Sequence, residues 1–189
     1  LLDHNWSADE AQYYSWGGLI SGNLRLGDRD IVFADATCQN RVFSAEWQGT
    51  DLRYKDGHVC SLSMRYDHHF SSASFLRALS SYGQERTGLS HLDNDYWLVG
   101  GGLSSELPWG ISLYVQGTYT DRDFEGVYPT LATARSDQRW DFSINVTKRD
   151  WIIAGFAPQV QYTYTLNDSN VSFFQYDAHG VNFTLTRKF

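Results

Sequence analysis

Asp67, His68, His69 and Ser71 come nearest, by type and spacing, to a reactive constellation in this chain. A carboxylate, an imidazole and a hydroxyl can form a hydrolase site, as in barrel phospholipases or proteases that work at a membrane surface. Neighbours on a strand point to opposite faces, so Asp67 and His69 share a face and His68 does not. At a short turn these are expected to be solvated turn residues, and no catalytic residue is expected. The six His and 22 acidic residues contain no H-E-x-x-H or paired C-x-x-C spacing, so neither a metal site nor a cofactor is expected. Gly100-Gly101-Gly102 follows Val99 without a phosphate-loop frame and reads as a strand bend or close packing. The N-x-S/T matches at Asn5, Asn145, Asn167, Asn170 and Asn182 are expected by chance in Asn- and Thr-rich strands. Cys38 and Cys60 could pair in an oxidising compartment; two buried free thiols are the plain alternative, and spacing does not decide between them.

The elements that would position these residues are strands. Aromatics make up 16% and charged residues only 20%, with 12 Tyr, 11 Phe and 7 Trp against 3 Pro, a profile that suits β-structure. The 189 residues suggest one domain, and no run approaches the ~20 apolar residues of a spanning helix, so a membrane could be crossed only by strands. A formal charge of −7 with no basic stripe makes nucleic acid an unexpected partner. Residues 1–12 show no clear period and read as a lead-in from an upstream region. The opening LLDHNW lacks an initiator methionine and an apolar leader, so a mature or excised portion is expected.

From residue 13 to 189 the period-two alternation recurs. Trp16, Gly18, Ile20, Gly22, Leu24 and Leu26 share one face, as do Cys60, Leu62, Met64 and Tyr66. Ile111 to Tyr119, Trp140 to Val146 and Ile152 to Tyr164 alternate in the same way, and Val181, Phe183 and Leu185 oppose Asn182, Thr184 and Thr186. Segment 31–54 reads as two short strands or one long bent one, which gives nine or ten strands. Pro158 lacks a ladder donor and predicts a β-bulge or an edge at 156–159.

Connections alternate in length, short at 69–72, 107–110 and 148–150 and long at 85–95, 121–138 and 166–175. This predicts an up-and-down meander with two distinct rims. Phe70, Trp109, Trp151 and Phe189 fall towards the short-turn rim, and Tyr119, Trp140, Tyr162, Tyr164 and Tyr176 towards the other, as interfacial girdles would. The expected fold is therefore all-β: an antiparallel up-and-down transmembrane β-barrel, or the C-terminal nine to ten strands of a larger one. A soluble β-sandwich would instead show Greek-key loop lengths.

The final strand, with Val181, Phe183, Leu185 and a terminal Phe189, resembles the signal read by the outer-membrane barrel assembly machinery, although Arg187 stands where that signal has an apolar residue. ELPWG with ISLYVQGTYTDRD, then RWDFSINVTKRD, GFAPQVQYTYTLNDSN and YDAHGVNFTLTRKF resemble the C-terminal barrel of the surface lipoprotein assembly modifier family. The likeness covers roughly residues 103–189. It maps Leu107, Pro108, Trp109 and Gly110 to the family's short turn and Gly155, Phe156 and Pro158 to its penultimate strand. Asn167, Asp168 and Asn170 fall in its last long loop, and Asp177, His179 and Phe189 in its final strand. The resemblance implies a bacterial outer-membrane barrel assisting translocation of lipoproteins to the cell surface, with outer-membrane lipids and a client surface lipoprotein as partners and no enzymatic residues. A passive pore or surface-binding barrel without a client is the alternative.

Overall fold

The computed structural model describes residues 2–7, 10–43, 55–128, 133–152 and 155–187, with backbone alone for 2–7 and 10–12. Ten antiparallel strands run in chain order: β1 (Leu2–Ser7), β2 (Glu10–Leu26), β3 (Asp30–Phe43), β4 (Gly57–His69), β5 (Phe75–Thr87), β6 (Asn94–Leu107), β7 (Ile111–Val127), β8 (Ala134–Lys148), β9 (Ala157–Ser169) and β10 (Tyr176–Thr186). They form one sheet in the order β1 to β10, each strand bonded only to its sequence neighbours. This single meander is the expected all-β, up-and-down architecture. It is not the two-sheet arrangement of a sandwich. Among the described residues β1 and β10 are not paired with each other. The sheet begins at Leu2, within the segment read as a lead-in.

The strands are longer than the alternating runs suggested. β7 has 17 residues, about 56 Å at ~3.3 Å per residue, so at ~40° tilt it outreaches a ~25 Å apolar band. The excess lies at the long-connection rim, where flanking polar residues continue the ladder, β5 to Thr87, β7 to Val127 and β9 to Ser169. A single strand accounts for 30–43; of the alternatives for 31–54, residues 44–54 lie outside the described residues. Pro158 causes no register shift. It is the second residue of β9, pairs Leu185 of β10, and precedes the first β8 partner at Gln159, so the missing N–H falls outside the β8 ladder.

One face of the sheet is apolar and exposed. Its rows run across the ladders, for example Val99–Tyr119–Trp140–Leu166 and Leu103–Val115–Ile144–Tyr162. On this face Ile20–Leu24, Val32–Cys38, Leu62–Tyr66, Leu113–Tyr119, Phe142–Val146 and Val181–Leu185 contribute no Asp, Glu, Lys or Arg at their alternate positions. Towards the long-connection rim, Trp97, Tyr119 and Trp140 form a continuous aromatic row, with ring centroids 5.3 and 4.6 Å apart. Trp97 Nε1 donates to Asp121 at 3.2 Å, the polar tip pointing away from the apolar band. At the short-turn rim Phe70, Trp109 and Trp151 are exposed, Trp109 by 81%.

Three of the expected rim aromatics sit elsewhere. Tyr162 shares its row with Ile144, in mid-band, and Tyr164 with Phe142, one row below the Trp140 row. Tyr162 instead shares its hydroxyl with His179 Nδ1 at 2.7 Å, which satisfies a polar group on an apolar face. Tyr176 turns to the opposite face, in register with Asn167.

Candidate functional site

The opposite face collects the polar alternates of every strand and forms an inner wall. In β3–β5 it is tightly cross-bridged. Asp67, only 4% exposed, accepts a two-pronged contact from Arg77, Nε to Oδ1 at 2.7 Å and Nη2 to Oδ2 at 2.9 Å, and an ion pair from Arg65 at 3.3 Å. Arg77 also donates to the Tyr114 hydroxyl at 3.4 Å, and the Arg65 guanidinium lies 3.8 Å from the Phe33 ring centre. Higher on the wall Arg41 meets Glu85 at 3.0 Å, and hydroxyl pairs Thr37–Ser61 and Ser63–Ser81 close the rows at 2.8 and 2.9 Å. Carboxylates in this partly enclosed space are held by fixed guanidinium forks, which match their geometry.

These contacts disperse the Asp67, His68, His69 and Ser71 constellation. Asp67 is committed to arginines, while His68 lies on the other face, 2.6 Å from Asp30, which also accepts the Tyr66 hydroxyl at 2.6 Å. His69 packs on Phe75, and Ser71 Oγ accepts the Ala73 amide at 3.2 Å. Gly100-Gly101-Gly102 is strand rather than bend, and it fits the close-packing reading: a Cβ on Gly102 would stand 3.0 Å from the Tyr114 hydroxyl.

At β8–β10 the inner wall is neutral over most of its height: Asn145 and Ser143, then Gln159, Gln161, Thr163 and Thr165, then Asn182, Thr184 and Thr186. Charge returns at the long-connection rim. Arg139 clasps Asp141 at 2.8 Å through both Nε and Nη2, and Thr165 Oγ1 donates to the same carboxylate at 2.6 Å. One turn of the ladder higher Arg135 grips Asp137 with two donors while lying between the Phe124 and Phe174 rings, 4.5 and 3.4 Å from their centres.

Most of the residues matched to family motifs make contacts within turns or between neighbouring strands. Pro108, Trp109 and Gly110 make the β6–β7 turn, with Trp109 and Gly110 at φ 61° and 66°. Only glycine fits the second position, where a Cβ would lie 2.7 Å from Asp150 Cγ. Arg149 ties this turn to its neighbour, its amide donating to the Gly110 carbonyl at 2.7 Å and its guanidinium pairing Glu106 at 2.6 Å. Leu107 ends β6 as an exposed side chain. Gly155 takes φ 85° before Phe156, where the β9–β10 ladder is about to begin.

Asn167, buried, donates to the Phe174 carbonyl at 2.8 Å, and Asp168 accepts from Gln175 at 3.1 Å. Asn170 bridges to β8 through the Ser136 amide at 2.9 Å and the Ala134 carbonyl at 2.7 Å. His179 stacks on Tyr164 with centroids 4.7 Å apart and stands 3.7 Å from Asp177. Val181, Phe183 and Leu185 project from the apolar face of β10, Phe183 by 79%; Phe189 lies outside the described residues.

Sequence reasoning missed the inner-wall ion pairs and left the cysteines open. Cys38 and Cys60 are directly opposed in the β3–β4 ladder and joined in a disulfide, Cα atoms 4.1 Å apart. The signal for the ion pairs was parity: Arg65, Asp67 and Arg77, then Arg135, Asp137, Arg139 and Asp141, recur at alternate residues opposite the apolar face.

An antiparallel meander with an exposed face whose apolar band carries no charge, aromatic rims and an ion-paired inner wall defines a barrel-type β-protein of the up-and-down class. A family profile described as surface lipoprotein assembly modifier matches residues 52–189, and the chain belongs to that family. The match spans β4 to β10, further than the motif likeness from 103 onward. No curated protein and no solved structure matched the chain.

Proposed function

We propose that this chain is a transmembrane wall of a bacterial outer-membrane protein that assists translocation of lipoproteins to the cell surface. The observation that carries the reading is the charge-free apolar face between aromatic rims in a member of a surface lipoprotein assembly family. Such a face suits hydrocarbon, and β2 to β9 are each hydrogen-bonded to a neighbour on both sides. The chain works without covalent chemistry: the apolar face anchors it among outer-membrane lipids, and the neutral amide and hydroxyl wall of β8–β10 offers a client lipoprotein reversible polar contacts. Insertion rests on the barrel assembly machinery acting on β10.

The test is deletion of the gene followed by protease shaving of intact cells and immunoblotting for surface lipoproteins. Loss of a lipoprotein from the surface at unchanged total abundance, restored by the intact gene, is the expected result. Unchanged surface display, with ion conductance by the purified protein, would replace this reading with a passive pore.

A further inference from the structure

We propose that the long-connection end of the inner wall binds a small phosphate-type oxyanion through Arg122 and Arg139, flanked by Asn167 and Tyr176. A cavity of about 180 Å³ opens there, floored by the row Thr120–Arg139–Asn167–Tyr176, with Arg122, Arg135 and Asp137 above it. Three guanidiniums face two carboxylates, and the pairing is uneven. Arg135 occupies both oxygens of Asp137, and Arg139 occupies both of Asp141. Arg122 stands across the ladder from Asp137, whose oxygens are taken, and has no carboxylate within ion-pair distance among the described residues.

Arg122 is nonetheless held in place. Its guanidinium lies 5.2 Å from the centre of the Tyr96 ring, and Tyr96 fits only because Gly83 faces it, where a Cβ would stand 2.3 Å from the ring. A guanidinium stacked on an aromatic keeps its edge donors free and pre-oriented. The flanking acids Asp121 and Asp123 point to the other face, so this wall is negative outside and positive inside in a chain of net charge −7. One uncompensated fork, a second guanidinium one row below, an amide and a phenol match a tetrahedral oxyanion better than a cation or an apolar ligand. The inward placement selects a soluble anion entering the lumen over a phosphorylated lipid headgroup, which would meet the outer face.

Phosphorus NMR of inorganic phosphate titrated with the purified full-length protein in zwitterionic micelles tests the assignment, with heat-modifiable migration as the folding check. Saturable line broadening is expected, with affinity falling about tenfold or more in Arg122→Gln, the loss expected of one charge-assisted contact. Arg122→Lys should recover part of it, and Arg29→Gln, in the turn at the opposite rim, should match the wild type. No saturable phosphate binding by the wild-type protein, equal losses in Arg122→Gln and Arg29→Gln, or binding seen only with micelles carrying phosphatidic acid would each overturn the proposal. Because the readout is phosphate alone, the result is independent of lipoprotein export.

Discussion

The inner wall of β3–β5 and the inner wall of β8–β10 belong to one sheet and share one alternation, yet they are built on different chemistry. In the first, Asp67 sits between two arginines, Arg41 meets Glu85, and a disulfide joins β3 to β4 on the apolar side. In the second, below Asp141, glutamines, asparagines and threonines line the wall, and the β10 side chains on both faces are exposed apart from the partly covered Gly180. Ion pairs fix the spacing of strands that have a hydrogen-bonded neighbour on each side. Where no opposite charge stands across the ladder, an unpaired charge in a partly desolvated wall is costly. Neutral amides and hydroxyls, which bond equally to water or to a passing chain, are what such a wall tolerates. The contrast separates a fastened half from an adaptable half.

Charge neutralisation should expose that contrast most. Asp67→Asn leaves Arg77 and Arg65 without their shared anion and is expected to cost about 3–4 kcal/mol, the lower part of the range for a broken buried pair because the wall borders water. Thr163→Val, at the same depth on the adaptable half, should stay within ~0.5 kcal/mol. Urea titration of the protein in micelles, followed by tryptophan fluorescence, checks both; similar losses would dissolve the distinction. The double variant Cys38→Ser, Cys60→Ser should come next. Opening a loop with a sequence separation of 22 restores chain entropy to the unfolded state, about 3 kcal/mol on the loop-entropy scale. The same titration with and without reductant measures it. A reductant effect absent from the double variant assigns the loss to this bond.

Each half withheld something from the sequence. Alternation placed Leu62, Met64 and Tyr66 opposite Ser61, Ser63 and Arg65 correctly, because burial of one face imposes period two wherever the strand lies. It did not reveal that Asp67 meets Arg77, since cross-strand partners depend on register, and register is set by turns such as 70–74 as much as by pattern. At Pro158 the edge alternative holds and no bulge forms; alternation could not choose between them, because Ile152 to Tyr164 alternates without interruption although β9 starts at Ala157. Polar strand extensions such as Asp121–Val127 were taken for loops, because above the apolar band both faces are polar and the periodic signal disappears. Tyr176 was assigned to a girdle by its distance from the strand end. Its parity with Asn182 and Thr184 would have put it on the inner wall, beside Arg139.

The smallest effect expected lies at the short-turn rim, where the adaptable half keeps its remaining ionic ties. Lys148 hydrogen-bonds Asp150 at 2.5 Å and holds that carboxyl below its ordinary range, with Lys148 and Arg149 adding attraction. A carboxylate whose pKa is lowered by folding stabilises the folded turn above the unfolded value, near ~4, and loses that contribution as pH falls through the folded value. Asp150 is fully exposed, so solvent screens the pair and the effect is confined to the turn. The reporter is the Arg149 amide, which donates to the Gly110 carbonyl at 2.7 Å and opens when the two turns separate. Its hydrogen-exchange protection should be constant from neutral pH to the upper carboxylate range, decline below it, and be independent of pH in Asp150→Asn. If the wild-type protection is flat as well, the turn is held by the Trp109–Gly110 backbone and the Arg149–Glu106 pair, without help from Asp150. The Arg149–Glu106 pair would then be the ionic tie left at this rim, and the contrast with β3–β5 would be sharper than drawn.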